Sequence, residues 1–91
     1  MKNGNGKIKE YKHGKLKFEG EYLNGKRNGK GKEYYGDKLE FEGEYLNGKR
    51  NGKGKEYYNN DKIKFEGEYL NGERNGKGKE YDMEGNIEFE G

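Results

Sequence analysis

The chain of 91 residues contains no cysteine, proline or tryptophan, and alanine, valine, serine, threonine and glutamine are missing as well. Without cysteine there is no disulfide, no thiolate nucleophile and no zinc–thiolate site. That agrees with a reducing compartment and a cytoplasmic location. Without serine or threonine the usual hydroxyl nucleophiles are lacking, and no Asn-x-Ser/Thr glycan acceptor can occur. No apolar run approaches the roughly 18 residues of a membrane-spanning helix. The first residues show no apolar core of the kind a secretory signal carries. Hydrophobic residues make up only 25% of the chain and charged residues 42%, well away from the usual globular balance. Composition alone is that of a disordered segment.

The placement of the few apolar residues says otherwise. FEGEYLNGKRNGKGKEYY runs from Phe18 to Tyr35 and returns unchanged from Phe41 to Tyr58. It returns again from Phe65 to Asp82, changed only at Glu73 and Asp82. The spacing is 23 residues from Phe18 to Phe41, and 24 from Phe41 to Phe65 and from Phe65 to Phe89. A fixed period in this range marks a repeat array. We read a partial unit over 3–17, full units over 18–40, 41–64 and 65–88, and the opening of another at 89–91. The chain thus starts and stops inside a unit. That suggests part of a longer array, a head-to-tail assembler, or a consensus-like designed array. The one-residue difference in period falls between strands, where insertions are tolerated.

Each unit reads as two short strands. In Leu39-Glu40-Phe41-Glu42-Gly43-Glu44-Tyr45 the apolar residues and Gly43 alternate with glutamates, the period of a half-buried strand. A second strand is expected near Lys53–Tyr58. Asn47–Gly52, with two Asn-Gly pairs, is expected to form the hairpin connection, because Asn and Gly accept positive φ. The fold class is therefore all-β: stacked antiparallel hairpins in one elongated, twisted meander sheet. Stacking would place Phe18, Phe41, Phe65 and Phe89 in one ladder, Tyr22, Tyr45 and Tyr69 in a second, and Leu16, Leu39, Ile63 and Ile87 in a third. Tyr11, Tyr34, Tyr57 and Tyr81 recur in every unit and are expected on the aromatic side. Tyr35 and Tyr58, replaced by Asp82 in the last full unit, are expected to be more exposed. Gly31 and Tyr34 are an odd number of positions apart, so a β-bulge is expected between them.

Catalysis finds little support. His13 lies in a Lys-His-Gly turn and reads as a solvated residue. Glu42 and Glu44 flank Gly43 at about 7 Å, the spacing of two same-face strand residues, an arrangement similar to that of paired acids. The pair recurs as Glu19/Glu21 and Glu66/Glu68, which favours salt bridges with lysines over a single active site. Asp82–Asn86 lacks the ligand series of a calcium loop. Gly29-Lys30-Gly31-Lys32 lacks the Gly-Lys-Ser/Thr and the helix of a phosphate loop. No enzymatic activity, cofactor, metal or small-molecule substrate is expected.

Phe18, Gly20, Tyr22, Asn24, Gly25, Lys26, Gly29 and Gly31, and their equivalents in the next two units, resemble the membrane occupation and recognition nexus (MORN) repeat. That pattern opens aromatic-x-Gly-x-aromatic and continues Asn-Gly-Lys-x-x-Gly-x-Gly. The tyrosine-rich close followed by Asn-Asp-Lys-Ile is similar to variant repeats common in bacterial proteins. Tyrosine stands where the family often has tryptophan, and Lys32 and Glu33 stand where an apolar residue is common. The resemblance implies an elongated hairpin sheet and a structural scaffold that binds proteins, often itself.

The candidate interaction face is Phe18, Tyr22, Tyr34, Phe41, Tyr45, Tyr57, Phe65, Tyr69, Tyr81 and Phe89, together with the sheet edges. Head-to-tail association would join the Phe89-Glu90-Gly91 edge to the Asn3–Tyr11 edge of another copy. The alternative is peripheral binding to anionic phospholipid through basic loop tips at Lys26, Arg27, Lys49, Arg50 and Arg74, a row that Glu73 interrupts. Nucleic acid is disfavoured by the acidic strand face.

Overall fold

The computed structural model describes residues 6–91, so residues 3–5 of the expected first unit lie outside it. Eight strands form one sheet: β1 Gly6–Lys12, β2 Lys15–Leu23, β3 Lys26–Tyr35, β4 Lys38–Leu46, β5 Lys49–Tyr57, β6 Ile63–Leu70, β7 Glu73–Tyr81 and β8 Ile87–Glu90. Their order in the sheet is their order in the chain, and every neighbour pair is antiparallel. The described residues hold no helix. The molecule is a slab of 44 × 30 × 14 Å.

The hairpin connection is shorter than Asn47–Gly52. Only Asn47 and Gly48 turn, with φ of 52° and 90°, and β5 begins at Lys49. Positive φ at both central residues is the two-residue turn whose twist matches that of paired strands. The second Asn-Gly pair makes a bulge instead. Gly43 faces Gly54 and Tyr45 faces Arg50, so Glu44 alone opposes Asn51, Gly52 and Lys53. Gly52 takes up the strain at φ 103°. The Lys53 N–H there donates to Glu44 Oε1 at 2.9 Å, and Lys30 N–H does the same to Glu21 at 3.0 Å.

The bulge expected between Gly31 and Tyr34 lies on the partner strand instead: Glu33 faces Phe41 and Tyr34 faces Leu39, so Glu40 of β4 is the extra residue and β3 runs regularly through Tyr34. Its consequence is the reverse of the one expected. Glu33 is paired with Phe41 and shares its face, so Tyr34 emerges on the opposite face. There the Tyr34 hydroxyl donates to Glu19 at 2.7 Å, and Tyr57 and Tyr81 donate to Glu42 and Glu66 at 2.5 Å.

The core lies on one face of a single-layer sheet. Phe18 and Phe41 have no exposure, and Tyr45, Phe65 and Tyr69 retain 4–6%. The rings do not form separate phenylalanine and tyrosine ladders. They alternate edge to face: Phe18–Tyr45 at 5.2 Å, Phe41–Tyr45 at 5.8 Å, Phe41–Tyr69 at 5.1 Å and Phe65–Tyr69 at 5.7 Å. Leu16, Leu39 and Ile63 are only partly buried and lie outside this cluster. The rings rest on a row of glycines paired across the strands: Gly20, Gly31, Gly43, Gly54, Gly67 and Gly78. A Cβ at Gly54 would stand 2.6 Å from Phe41 ring atoms and 3.0 Å from Tyr69. Only glycine lets a ring lie this close to backbone.

Candidate functional site

With no second layer, something on the same face must cover the rings. Arginine does so. Arg27 lies 4.1 Å above the Phe18 ring centroid, Arg50 lies 3.9 Å above Phe41, and Arg74 lies 4.1 Å above Phe65. Each guanidinium also meets a carboxylate from the unit before. Arg50 Nε and Nη2 donate to Glu33 at 3.0 and 3.2 Å, and the Tyr45 hydroxyl donates to the same Glu33. Arg27 and Tyr22 serve Glu10, and Arg74 and Tyr69 serve Glu56, in the same way. A planar, two-pronged donor suits both the carboxylate and the ring.

The electrostatics follow from these bonds. Burial pushes the Glu33 and Glu56 carboxyls up, but the arginine and tyrosine donors outweigh it and hold them below the usual value. Arg27 is the main cause of the same lowering at Glu10. Burial first and the carboxylate second raise Tyr45 and Tyr69. Burial and the bond to Glu19 push Tyr34 up to about 12.

The two sets of residues singled out in the sequence are therefore redistributed. Phe18, Phe41, Tyr45, Phe65 and Tyr69 are core, with Tyr22 packed against them, and are not a free docking face. Tyr34, Tyr57 and Tyr81 stand on the other side of the sheet, and Phe89 is 59% exposed at its edge. Arg27, Arg50 and Arg74 lie in strands and are engaged by glutamates, so they are not loop-tip charges. Lys26 and Lys49 remain exposed beside the turns. Tyr35 is exposed as expected, but Tyr58 is partly buried and donates to the Tyr81 carbonyl at 2.6 Å.

The opposite face carries a groove of about 1330 Å³ crossing all eight strands. Its floor is the glycine row, extended by Gly91, whose backbone pairs with Gly78. Its walls are two rows in which lysine and glutamate alternate from strand to strand: Lys9, Glu19, Lys32, Glu42, Lys55, Glu66, Lys79 and Glu90 on one side, and Lys7, Glu21, Lys30, Glu44, Lys53, Glu68 and Lys77 on the other. The register sets each wall glutamate opposite lysines, as in Lys32–Glu42–Lys55. Among the described residues only Lys79 and Glu90 of these rows come within ion-pair distance, at 3.9 Å. The glutamates are held elsewhere: Glu19, Glu42 and Glu66 by tyrosine hydroxyls, Glu21 and Glu44 by bulge N–H groups. Lys30, Lys32, Lys53 and Lys55 stay exposed. The sequence reading singled out the pairs Glu19/Glu21, Glu42/Glu44 and Glu66/Glu68 and expected lysine salt bridges there, which are not formed among the described residues; it did not find the groove, whose signal was the glycine recurring in both strands of every unit.

The family model for the MORN repeat matches residues 18–39, 41–62 and 65–87. The chain belongs to the MORN-repeat family. Comparison with curated proteins and with solved structures returns no match. MORN repeats are a non-catalytic family associated with protein and membrane-lipid interactions. No helix among the described residues of this MORN protein is long and apolar enough to cross a membrane.

Proposed function

We propose that this MORN-repeat protein is a non-enzymatic scaffold that holds a carboxylate-bearing polypeptide segment in the glycine-floored groove. One observation carries the reading. The groove runs unbroken across every strand, and five of its seven wall glutamates are held by hydrogen bonds, whereas among the described residues only Lys79 of its lysines forms an ion pair. Mobile ammonium groups then meet the partner, and fixed carboxylates keep those lysines apart along the wall. The lipid reading loses support because three of its five cations are engaged by glutamates.

Head-to-tail joining of copies is not part of this reading. Ile8 of β1 takes the place that Gly31 holds in β3, as its pairing with Gly20 shows. A Cβ at Gly31 would lie 2.6 Å from the Phe18 ring, so Ile8 would meet the incoming Phe89 of another copy in the same way.

The test is a two-dimensional NMR titration with a 15-residue peptide of alternating Glu and Ala. Shifts confined to the groove glycines, and affinity at least tenfold weaker for Lys32→Glu/Lys55→Glu, are expected. Shifts centred on Lys26 and Lys49, or unchanged affinity in the double variant, would refute the groove reading.

A further inference from the structure

The charge of the groove changes sign from strand to strand with a fixed period. β3, β5 and β7 each present two lysines astride a floor glycine, as Lys30 and Lys32 flank Gly31. β2, β4 and β6 each present two glutamates, as Glu42 and Glu44 flank Gly43. Neighbouring strands stand about 4.8 Å apart, so the lysine pairs recur about every 9.6 Å along the groove. The lysines of β3 and β5 are exposed. Glu42 and Glu44 are fixed by the Tyr57 hydroxyl and the Lys53 N–H. A carboxylate on an occupant is therefore attracted once per two strands and repelled halfway between.

Width and pitch together select the backbone that fits. The two walls rise from residues on either side of one strand position, about 7 Å apart. A helix with its side chains is about 10–12 Å across, so it would ride on the walls without reaching the glycines. A β-strand repeats a face every two residues, about 6.7 Å, and falls out of phase with the lysines within one unit. It would also want ladder partners, and the groove crosses strands whose backbones already pair with one another. A polyproline II helix repeats a face every three residues, about 9.3 Å, and needs no ladder because its backbone stays solvated. Its mismatch with the lysine pitch is about 0.3 Å per unit, within reach of mobile lysine ends. Resting on the groove reading, we infer that the segment bound there is a polyproline II helix with a carboxylate at every third residue. Each carboxylate meets one lysine pair, and the two residues between pass over the fixed glutamates. Consecutive carboxylates then meet the lysine pairs of β1, β3, β5 and β7 in turn.

The test uses the 91-residue chain and three peptides of equal length, each with four glutamates. The first is four Glu-Pro-Pro triplets. The second is Glu-Pro-Glu-Pro-Pro-Pro written twice, with the same composition and backbone preference but the wrong acid spacing. The third is four Glu-Gly-Gly triplets, with the right count between acids on a flexible chain. NMR titration of labelled protein, followed at the groove glycines, reads the affinities. We expect the first peptide to bind at least fivefold more tightly than either control. The variant Lys30→Gln/Lys32→Gln/Lys53→Gln/Lys55→Gln changes exposed side chains only and should bring the first two peptides to within twofold. Equal affinity of the first peptide and either control, with shifts in the groove, would overturn the polyproline II assignment and leave the groove reading standing. So would equally tight binding there by the peptide of alternating Glu and Ala. Absence of groove shifts with all four peptides at millimolar concentration would remove both.

Discussion

Glycine and arginine together do at the residue scale what a second structural layer does in other folds. The glycine removes the side chain beneath the ring, and the arginine covers it from above. Gly54→Ala places a methyl 2.6 Å from Phe41 ring atoms and 3.0 Å from Tyr69 Cε1. Neither is the free end of a flexible chain, so the sheet must deform. Overpacking of this kind costs about 1–3 kcal/mol, which for a domain of this size lowers the melting midpoint by about 4–8 °C per kcal/mol. Calorimetry on Gly54→Ala should show that loss, and an unchanged midpoint would mean that the rings do not rest on the backbone.

The same clusters set the pH limits. Glu10, Glu33 and Glu56 have folded pKa values below their ordinary 4.5. As pH falls, the unfolded chain takes up these protons first, so their contribution is complete above about pH 5 and is lost as pH drops through the folded values. Tyr34, raised to about 12 from 10, behaves oppositely. Its contribution is complete below pH 10 and is lost as pH climbs towards 12. Denaturant midpoints followed across pH should form a plateau bounded by these two falls. Glu33→Gln should lower the plateau and shrink the acid-side fall. An acid limb identical to that of the parent chain would show that the clusters do not control it.

At the scale of the strand pair, each cluster is a clamp between hairpins: Glu33 comes from β3, Phe41 and Tyr45 from β4, and Arg50 from β5. Turns add a second tie, since Gly48 N–H donates to the Arg27 carbonyl at 2.8 Å and Asn47 N–H to Asn28 Oδ1 at 3.2 Å. Arg50→Ala would uncover Phe41 and leave Glu33 without its bidentate donor. A cost of roughly 2 kcal/mol is expected, between that of an exposed and a buried pair. Arg50→Lys should recover less than half of it, because an ammonium neither lies flat on a ring nor bonds a carboxylate with two prongs. Full recovery by lysine in chemical denaturation would reduce the clamp to simple charge. Strand identity and the place of each hairpin connection were legible in the sequence, because alternation and Asn-Gly pairs are local signals, but the two-residue length of the turns was not. A bulge was expected in β3 from the odd Gly31–Tyr34 spacing, but the extra residue is Glu40 of β4. Which of the two paired strands carries the extra residue was not legible, since either can. Tyr34 therefore went to the wrong face, and Arg50 and Glu33 went unnoticed as partners. Asn51-Gly52 was read as loop for a related reason: glycine at positive φ serves a bulge as readily as a turn.

Over the whole molecule, every strand pairs only with its sequence neighbours and its side chains reach one strand further, so stability is a sum of units and the joints between them. The sum is uneven. Phe41 packs against Tyr45 and Tyr69 under Arg50, whereas all four residues of β8 are exposed and most of β7 is as well. Opening should therefore start at the β8 edge and move inward, with each lost hairpin uncovering the next clamp. Native-state hydrogen exchange should rank amide protection highest in β3–β6 and lowest in β8, with β7 between. Raising denaturant should bring the β7 and β8 amides to exchange before the centre does. A single exchange free energy shared by all strands would instead make the slab one cooperative block, and the clamps would then be too strong to behave as separate joints.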